Sequence, residues 1–508
     1  MARRFVVIVA LIGIAVAATA AVRPPAVAGS FYPAGADQLR AEVEAMIEGA
    51  RAASAGPPAR AVVVPHAGYA FSGPTAALAF ARLPSEGVRR VILLGPSHHM
   101  RFAGAALPSE GVSAFATPLG EMALDTEAIA RLRGRTGFGG PTRAHGPEHA
   151  LEVELPFLQV VAPNATLVPI VVGGSTDLAG CRALAEVLSE LLDDGTIVVA
   201  SSDFTHHGER YGWAPYGGPD LPETLLEVGR ATAERVAAGD ARGLVTQVEV
   251  SGDTVCGVRP LAVLAALVNA SLDGRGEVLD VTTSGRITGD FDLSVTYAAI
   301  AFDGRWTPWR RSPSRAGAEI DAAAGAALVD LARATLRCRL AHDAGVARWF
   351  AEHGDDGWLD VPAGAFVTLN HAGTEAGEPG RLRACMGVIE ATQPAVDAVT
   401  QAAVWATRDP RFPPLELDEL DGLEVEVSVL SPTHQVPSYR DIEVGRDGVF
   451  LTKDGRRAVF LPQVATEQGW NRSTMLDHLS LKAGLPSDAW RHGASFEVFT
   501  AQIFGEHR

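Results

Sequence analysis

The sequence predicts two domains in tandem: an α/β domain with a parallel or mixed sheet covered by helices over residues 23–302, then a separate α+β domain over 319–508. Three observations carry this. In the first part near-continuous apolar runs alternate with helix-like segments, the pattern of strands buried on both faces. In the second part Glu424, Glu426 and Ser428 alternate with Val425, Val427 and Val429, which describes a strand wet on one face only. Between the two, the stretch 306–316 (WTPWRRSPSRA) loses all periodicity and is rich in Pro, Arg and Ser. It reads as the heart of a linker over 303–318.

The first 22 residues stand apart. A basic Met1-Ala-Arg-Arg4 precedes the apolar run 5–18, and Ala18-Thr19-Ala20 has the small-x-small form of a signal cleavage site. Cleavage predicts an exported, periplasmic chain, and an uncleaved segment an outward-facing membrane anchor. Without a working signal the chain is cytoplasmic. Strands are then expected at 61–64, 91–94, 167–172, 197–200 and 293–302, with a helix over 74–83 that opens on Pro74. Beyond the linker, 320–340 reads as one long helix. Strands at 365–369, 382–390, 423–430, 458–461 and 496–503 follow, with helices at 395–407 and 476–483.

A formal charge of −17, from 60 acidic and 43 basic residues, argues against nucleic acid as a partner. It leaves the N-terminal segment as the only route to a membrane. The four cysteines (Cys181, Cys256, Cys338, Cys385) are too scattered for a disulfide framework.

Three times an apolar strand runs straight into a small-residue turn bearing histidine: Pro65-His66-Ala-Gly-Tyr69, Gly95-Pro-Ser-His98-His99, and Ser201-Ser-Asp203-Phe-Thr-His206-His207-Gly208. In an open α/β sheet the carboxyl ends of parallel strands share one edge, where ligands bind. The three loops therefore converge. A fourth segment, Thr254-Val-Cys256-Gly257, precedes an apolar helix, whose N-terminus favours a thiolate. Imidazoles with a thiolate make a ligand set for iron, copper or zinc. His149 and Glu152, three apart on an expected helix, are candidates to support a ligand or the substrate.

These segments, with Ala26-Val-Ala-Gly-Ser-Phe-Tyr-Pro33 and 148–156, resemble the Memo family in order and spacing over 23–302. The resemblance implies the fold of class III extradiol dioxygenases, in which two His and a carboxylate hold Fe(II). It implies His66, His98 and Cys256 as metal ligands, with Cys256 in place of the carboxylate. It also implies that Asp203 and His206 line the same pocket, with His206 where the dioxygenases keep an acid/base histidine; Asp203 is expected to position it, and His99 to lie in the surrounding shell. A thiolate softens such a site toward Cu(I) or low-potential iron.

The second half carries 364–369, Leu382-Arg-Ala-Cys-Met-Gly387, 409–414, 426–432, 461–470 and 482–486, which resemble the AMMECR family over 319–505. The family's Leu-Arg-Gly-Cys reads Leu-Arg-Ala-Cys here. Alternation puts Arg383 and Cys385 on one face, where Arg can lower the thiol pKa and hold an anion. The two families occur together beside radical-SAM proteins in the AmmeMemoRadiSam grouping. The resemblance thus implies a radical-SAM partner, whose cluster belongs to the cytosol, against the export signal. The expected function is a metal-dependent redox enzyme, dioxygenase-like and most simply Fe(II)-dependent, acting on a small molecule. Two alternatives of other classes stand beside it: an iron or copper delivery protein, and a peptide- or anion-binding module. Oxygen consumption at an open coordination position favours the enzyme, and transferable metal favours the carrier.

Overall fold

The computed structural model describes residues 21–310, 320–354, 358–371 and 381–506. Residues 1–20 of the expected signal or anchor and the second half of the linker, 311–318, lie outside them. Among the described residues no helix is long and apolar enough to cross a membrane.

The Val- and Ile-rich runs form strands because β-branched side chains suit a pleated surface packed on both sides. In chain order they are β1 (Ala59–Val64), β2 (Arg90–Pro96), β3 (Thr166–Val172), β4 (Thr196–Ser201), β5 (Gly276–Thr283) and β6 (Ser294–Asp303). They lie in the order β5-β6-β1-β4-β2-β3, with Ala105–Ala106 on the far edge. The four central strands are parallel, with Val63 beside Ala200, Ile92 beside Val198 and Leu93 beside Pro169. The flanking strands β5 and β6 and the pair Ala105–Ala106 run antiparallel, so the sheet is mixed. Every residue of β4 is buried, as two covering helical layers require.

Helices α1 (Ala36–Arg51), α2 (Tyr69–Phe80), α3 (Leu178–Ser189), α4 (Leu221–Ala237), α5 (Ala241–Ser251) and α6 (Val258–Ser271) supply those layers. Helix α2 begins earlier than Pro74 suggests, and Pro74 lies inside it. The reason is tertiary: the turn after His66 passes directly into the helix, and Tyr69 N–H donates to Phe31 O at 2.8 Å. The stretch from residue 306 also does not start as a free linker. Arg305–Trp306 pairs with Leu272–Asp273, and the Trp306 indole donates to Thr196 O at 2.9 Å.

The second half opens with α7 (Ala322–Ala341) and α8 (Gly345–His353) and includes α9 (Ala395–Ala406) and α10 (Arg472–Lys482). Its strands are β7 (Gly364–His371), β8 (Leu382–Val388), β9 (Leu423–Leu430), β10 (His434–Val436), β11 (Gly448–Lys453), β12 (Arg456–Phe460), β13 (Ser495–Phe499) and β14 (Ala501–Gly505). They form two antiparallel sheets, β8-β7-β9-β14 and β10-β13-β11-β12. The expected single strand at 496–503 is two strands. Between them Thr500 and Ser431 exchange hydrogen bonds at a corner, where the chain leaves one sheet for the other.

Candidate metal centre

Because β1, β2 and β4 are parallel, the turns after them meet at one edge of the sheet. His66 and His98 from these turns, and Cys256 from the segment ahead of α6, bring one ligand atom each to within 4.8 Å of one another. His66 is buried, and its Nε2 is 3.2 Å from the Cys256 sulfur. His98 is the most exposed of the three, so the site opens to solvent on the His98–His99 side.

Each imidazole is fixed from behind. His66 Nδ1 meets Ser201 Oγ at 2.8 Å, and the Ser201 hydroxyl donates to Ala150 O at 2.7 Å. Ser201 Oγ therefore accepts from His66 Nδ1–H, which leaves Nε2 as the free acceptor. Burial, with the neighbouring His98 charge, holds the His66 pKa well below its usual range, so the ring is neutral. His98 Nδ1 meets Glu148 Oε1 at 2.8 Å, and His98 N–H donates to Glu148 Oε2 at the same distance. Burial alone would raise the Glu148 pKa. The His98 ring and the N–H groups of Ala150 and His98 instead bring it to about 2. A carboxylate behind a metal-facing histidine fixes its tautomer and raises its basicity. The three residues His98, Glu148 and His149 also lie close enough to form a ligand set. Glu148 is committed to the rear of His98, however, and belongs to the supporting shell.

Cys256 lies just ahead of α6, as expected. Burial nonetheless pushes its thiol well above its ordinary pKa, and the nearby Asp203 adds to this. The thiol proton is thus shared with neutral His66 Nε2. Gly257 allows the approach: a Cβ there would lie 2.4 Å from the Ser202 side chain. Glu154 sits deeper, fully buried, with one oxygen 2.9 Å from Ser201 Oγ and the other without a partner. Such a carboxyl is neutral, and burial accordingly raises its pKa well above normal.

The remaining expected residues divide. His206 sits beside the cluster, but Asp203 does not orient it. His206 Nδ1 bonds Phe204 O at 2.8 Å and Thr254 O at 3.1 Å, while Asp203 Oδ1 accepts from His66 N–H at 2.8 Å. The carboxylate follows the backbone donor that the β1 turn aims at it, so it shapes that turn instead. His149 joins the site wall, its ring 4.6 Å from that of His98 and 5.4 Å from that of His66, centre to centre. Burial lowers its pKa to about 4. His99 lies at the rim, 6.5 Å from His149.

Glu152 leaves the site altogether. No helix carries it, because 150–154 is a series of turns and the helix starts only at Leu155. Its fully buried carboxylate accepts from Arg23 Nη1, Ala26 N, Val27 N and Tyr32 Oη at 2.7–2.9 Å. This network pins the N-terminal segment to the domain. Replacing Arg23 with alanine takes away the cation paired with that buried charge, so roughly 3–5 kcal/mol of stability should be lost in denaturant melts.

Asp253 is a further acid nearby, half-buried. Burial raises its pKa to about 6 against hydrogen bonds from Thr205 and the Thr254 N–H. An acid with a raised folded pKa binds more protons folded than unfolded between those pKa values. Its contribution is therefore full below about pH 4 and falls as pH rises to about 6, by on the order of 3 kcal/mol. Asp253→Asn should remove that part of the decline, as read from chemical melts at pH 4, 5, 6 and 7.

In the second half, Arg383 and Cys385 do not form the expected couple. Arg383 is held by Glu419 at 2.7 Å and Pro414 O at 3.3 Å. The Cys385 sulfur accepts from Thr368 at 3.4 Å, and Arg411 donates to the Cys385 carbonyl at 2.9 Å. Asp409 pairs with Arg411 and accepts from Cys385 N–H. Ala384 is fully buried in ordinary strand geometry against Leu369, so alanine fits where the family has glycine. All four cysteines are free.

A mixed sheet with two histidines just past the ends of its parallel strands, and a cysteine brought to them from the start of a helix, defines a protein with a built metal-type pocket. The family comparisons agree with the sequence resemblance. The Memo-like protein family matches residues 23–301 and the AMMECR1 family residues 329–504. The chain belongs to the Memo family, with an AMMECR1 region fused behind it. A MEMO1 family protein of Methanopyrus kandleri is 36% identical over 55% of this chain and 98% of its own length. One from Thermococcus onnurineus is 35% identical over 55% of this chain and 99% of its own length. An uncharacterized protein of solved structure from Pyrococcus horikoshii is 35% identical over the aligned part. It is covered to 91%, aligns with 36% of this chain and has a TM-score of 0.30.

Proposed function

We propose that the first domain is a metal-dependent redox enzyme, dioxygenase-like, that acts on a small molecule together with its fused AMMECR region. The observation that carries this is the convergence of two neutral-capable imidazoles and a thiol, each imidazole backed through Nδ1. That donor set fits iron first, with copper or zinc as alternatives. Bound there, the metal would supply Lewis-acid and one-electron chemistry. The chain's own contribution is positional: Ser201 and Glu148 aim the rings, and His149 with Phe31 walls the pocket. His206 gives its Nδ1–H to carbonyls, which leaves Nε2 to take up or return a proton.

The radical-SAM partner and the export signal belong to this reading as separate proposals, tested by co-purification and by cell fractionation. The function itself is tested with an oxygen electrode. Anaerobically purified chain is loaded with Fe(II) and offered a panel of catechols and other hydroxylated aromatics. Uptake that depends on both metal and substrate is expected. Stoichiometric metal that passes to an acceptor protein without oxygen uptake would favour delivery instead. The backing carboxylate gives a further prediction: Glu148→Ala lowers metal affinity roughly 10–100-fold, read by chelator competition.

A further inference from the structure

Helix α5 leads directly into the segment that carries Cys256, and its outer side is where the second domain sits. Val250 belongs to the apolar core of that second domain. Gln247 receives a hydrogen bond from Ala347 N at 3.0 Å and donates to Asp343 O at 2.9 Å. Arg242 reaches Asp397 at 2.7 Å and also Asp360. The two domains are therefore joined on the helix that ends at the metal-type site.

A contact close along the chain to that segment is His342, which follows α7. Its φ is 57°, a left-handed conformation costly for most side chains. There its Nδ1–H donates to Ser251 O at 2.8 Å, the same carbonyl that accepts from the Trp213 indole at 3.3 Å. The Tyr216 hydroxyl in turn donates to His342 O at 2.8 Å, and the His342 ring stands edge-on to Trp213. One residue of the second domain thus grips both the end of α5 and the 208–216 loop. From Ser251 the chain continues through Asp253, which bonds Thr205, and Thr254, which exchanges hydrogen bonds with the His206 backbone. Cys256 follows.

We propose that His342 is a positioning residue through which the second domain sets the Cys256–His206 side of the site. Its effect on metal rests on the function proposed above, whereas its hold on the 251–256 segment does not.

The test uses the full chain and three variants. His342→Gly keeps the left-handed backbone without the donor. His342→Asn keeps the backbone preference and places an amide N–H where Nδ1 stood. Tyr216→Phe removes only the hydroxyl on the His342 carbonyl, and it remains informative if the glycine variant does not fold. Iodoacetamide labelling of Cys256 in metal-free protein, followed by peptide mass spectrometry, reads the segment directly. Zn(II) affinity reads the site. His342→Gly should speed labelling and weaken Zn(II) roughly three- to tenfold, the range one lost hydrogen bond supplies. Tyr216→Phe should shift both the same way, and His342→Asn should restore wild-type values. Unchanged labelling in both His342→Gly and Tyr216→Phe overturns the proposal, as does an Asn variant no better than Gly. If the wild type binds no Zn(II), the metal reading fails, while labelling still decides the role of His342.

Discussion

Alanine at His66, His98 or Cys256 should each take the protein from fully metal-loaded to empty after dialysis against a mild chelator. Three protein ligands leave no reserve, because two donors compete poorly with water and buffer. The cysteine gives the sharper contrasts. Cys256→Ser keeps nearly the same shape but offers a hydroxyl, a poor ligand at neutral pH, so metal should still be lost. Cys256→Glu restores two histidines and a carboxylate, the set suited to Fe(II). It should regain Fe(II) while losing preference for Cu(I). Elemental analysis of all five variants checks these outcomes, and retention of metal by Cys256→Ser would remove the sulfur from the ligand set.

The second large effect concerns the proton rather than the metal. His206→Ala should keep a full complement of metal, because its Nδ1 is occupied by the carbonyls of Phe204 and Thr254 and it stands outside the ligand cluster. Metal-dependent oxygen uptake should fall roughly 10²–10⁴-fold, the usual worth of a positioned acid/base group. Loss of metal in His206→Ala would make it a ligand instead.

The sheet and the convergence of the three histidine turns were legible because they follow from local signals. Apolar runs mark the strands, small residues mark the turns, and parallel order puts all strand ends on one edge. The supporting shell was not legible. Nothing near His98 in the sequence announces Glu148 as its partner, and Ser201 looks like any strand-end serine. A trace of it does exist: Glu148, Glu152 and Glu154 interrupt an otherwise apolar stretch, which marks them as buried acids with work to do. Which work depended on distant chain. Arg23 claims Glu152, Ser201 meets Glu154, and His98 takes Glu148. The same limit separated Asp203 from His206 and gave Arg383 to Glu419. Pro74 misled for a related reason: a helix start set by the His66 turn outweighed the local preference of proline.

X-ray absorption on the Zn(II)-loaded wild-type chain tests the central claim most directly. A single sulfur scatterer near 2.3 Å with imidazole nitrogens near 2.0–2.1 Å, at about one metal per chain, is the result predicted by His66, His98 and Cys256 acting together. A shell made only of nitrogen and oxygen, or a chain purified without oxygen that binds none of Fe(II), Cu(I) and Zn(II), would contradict it.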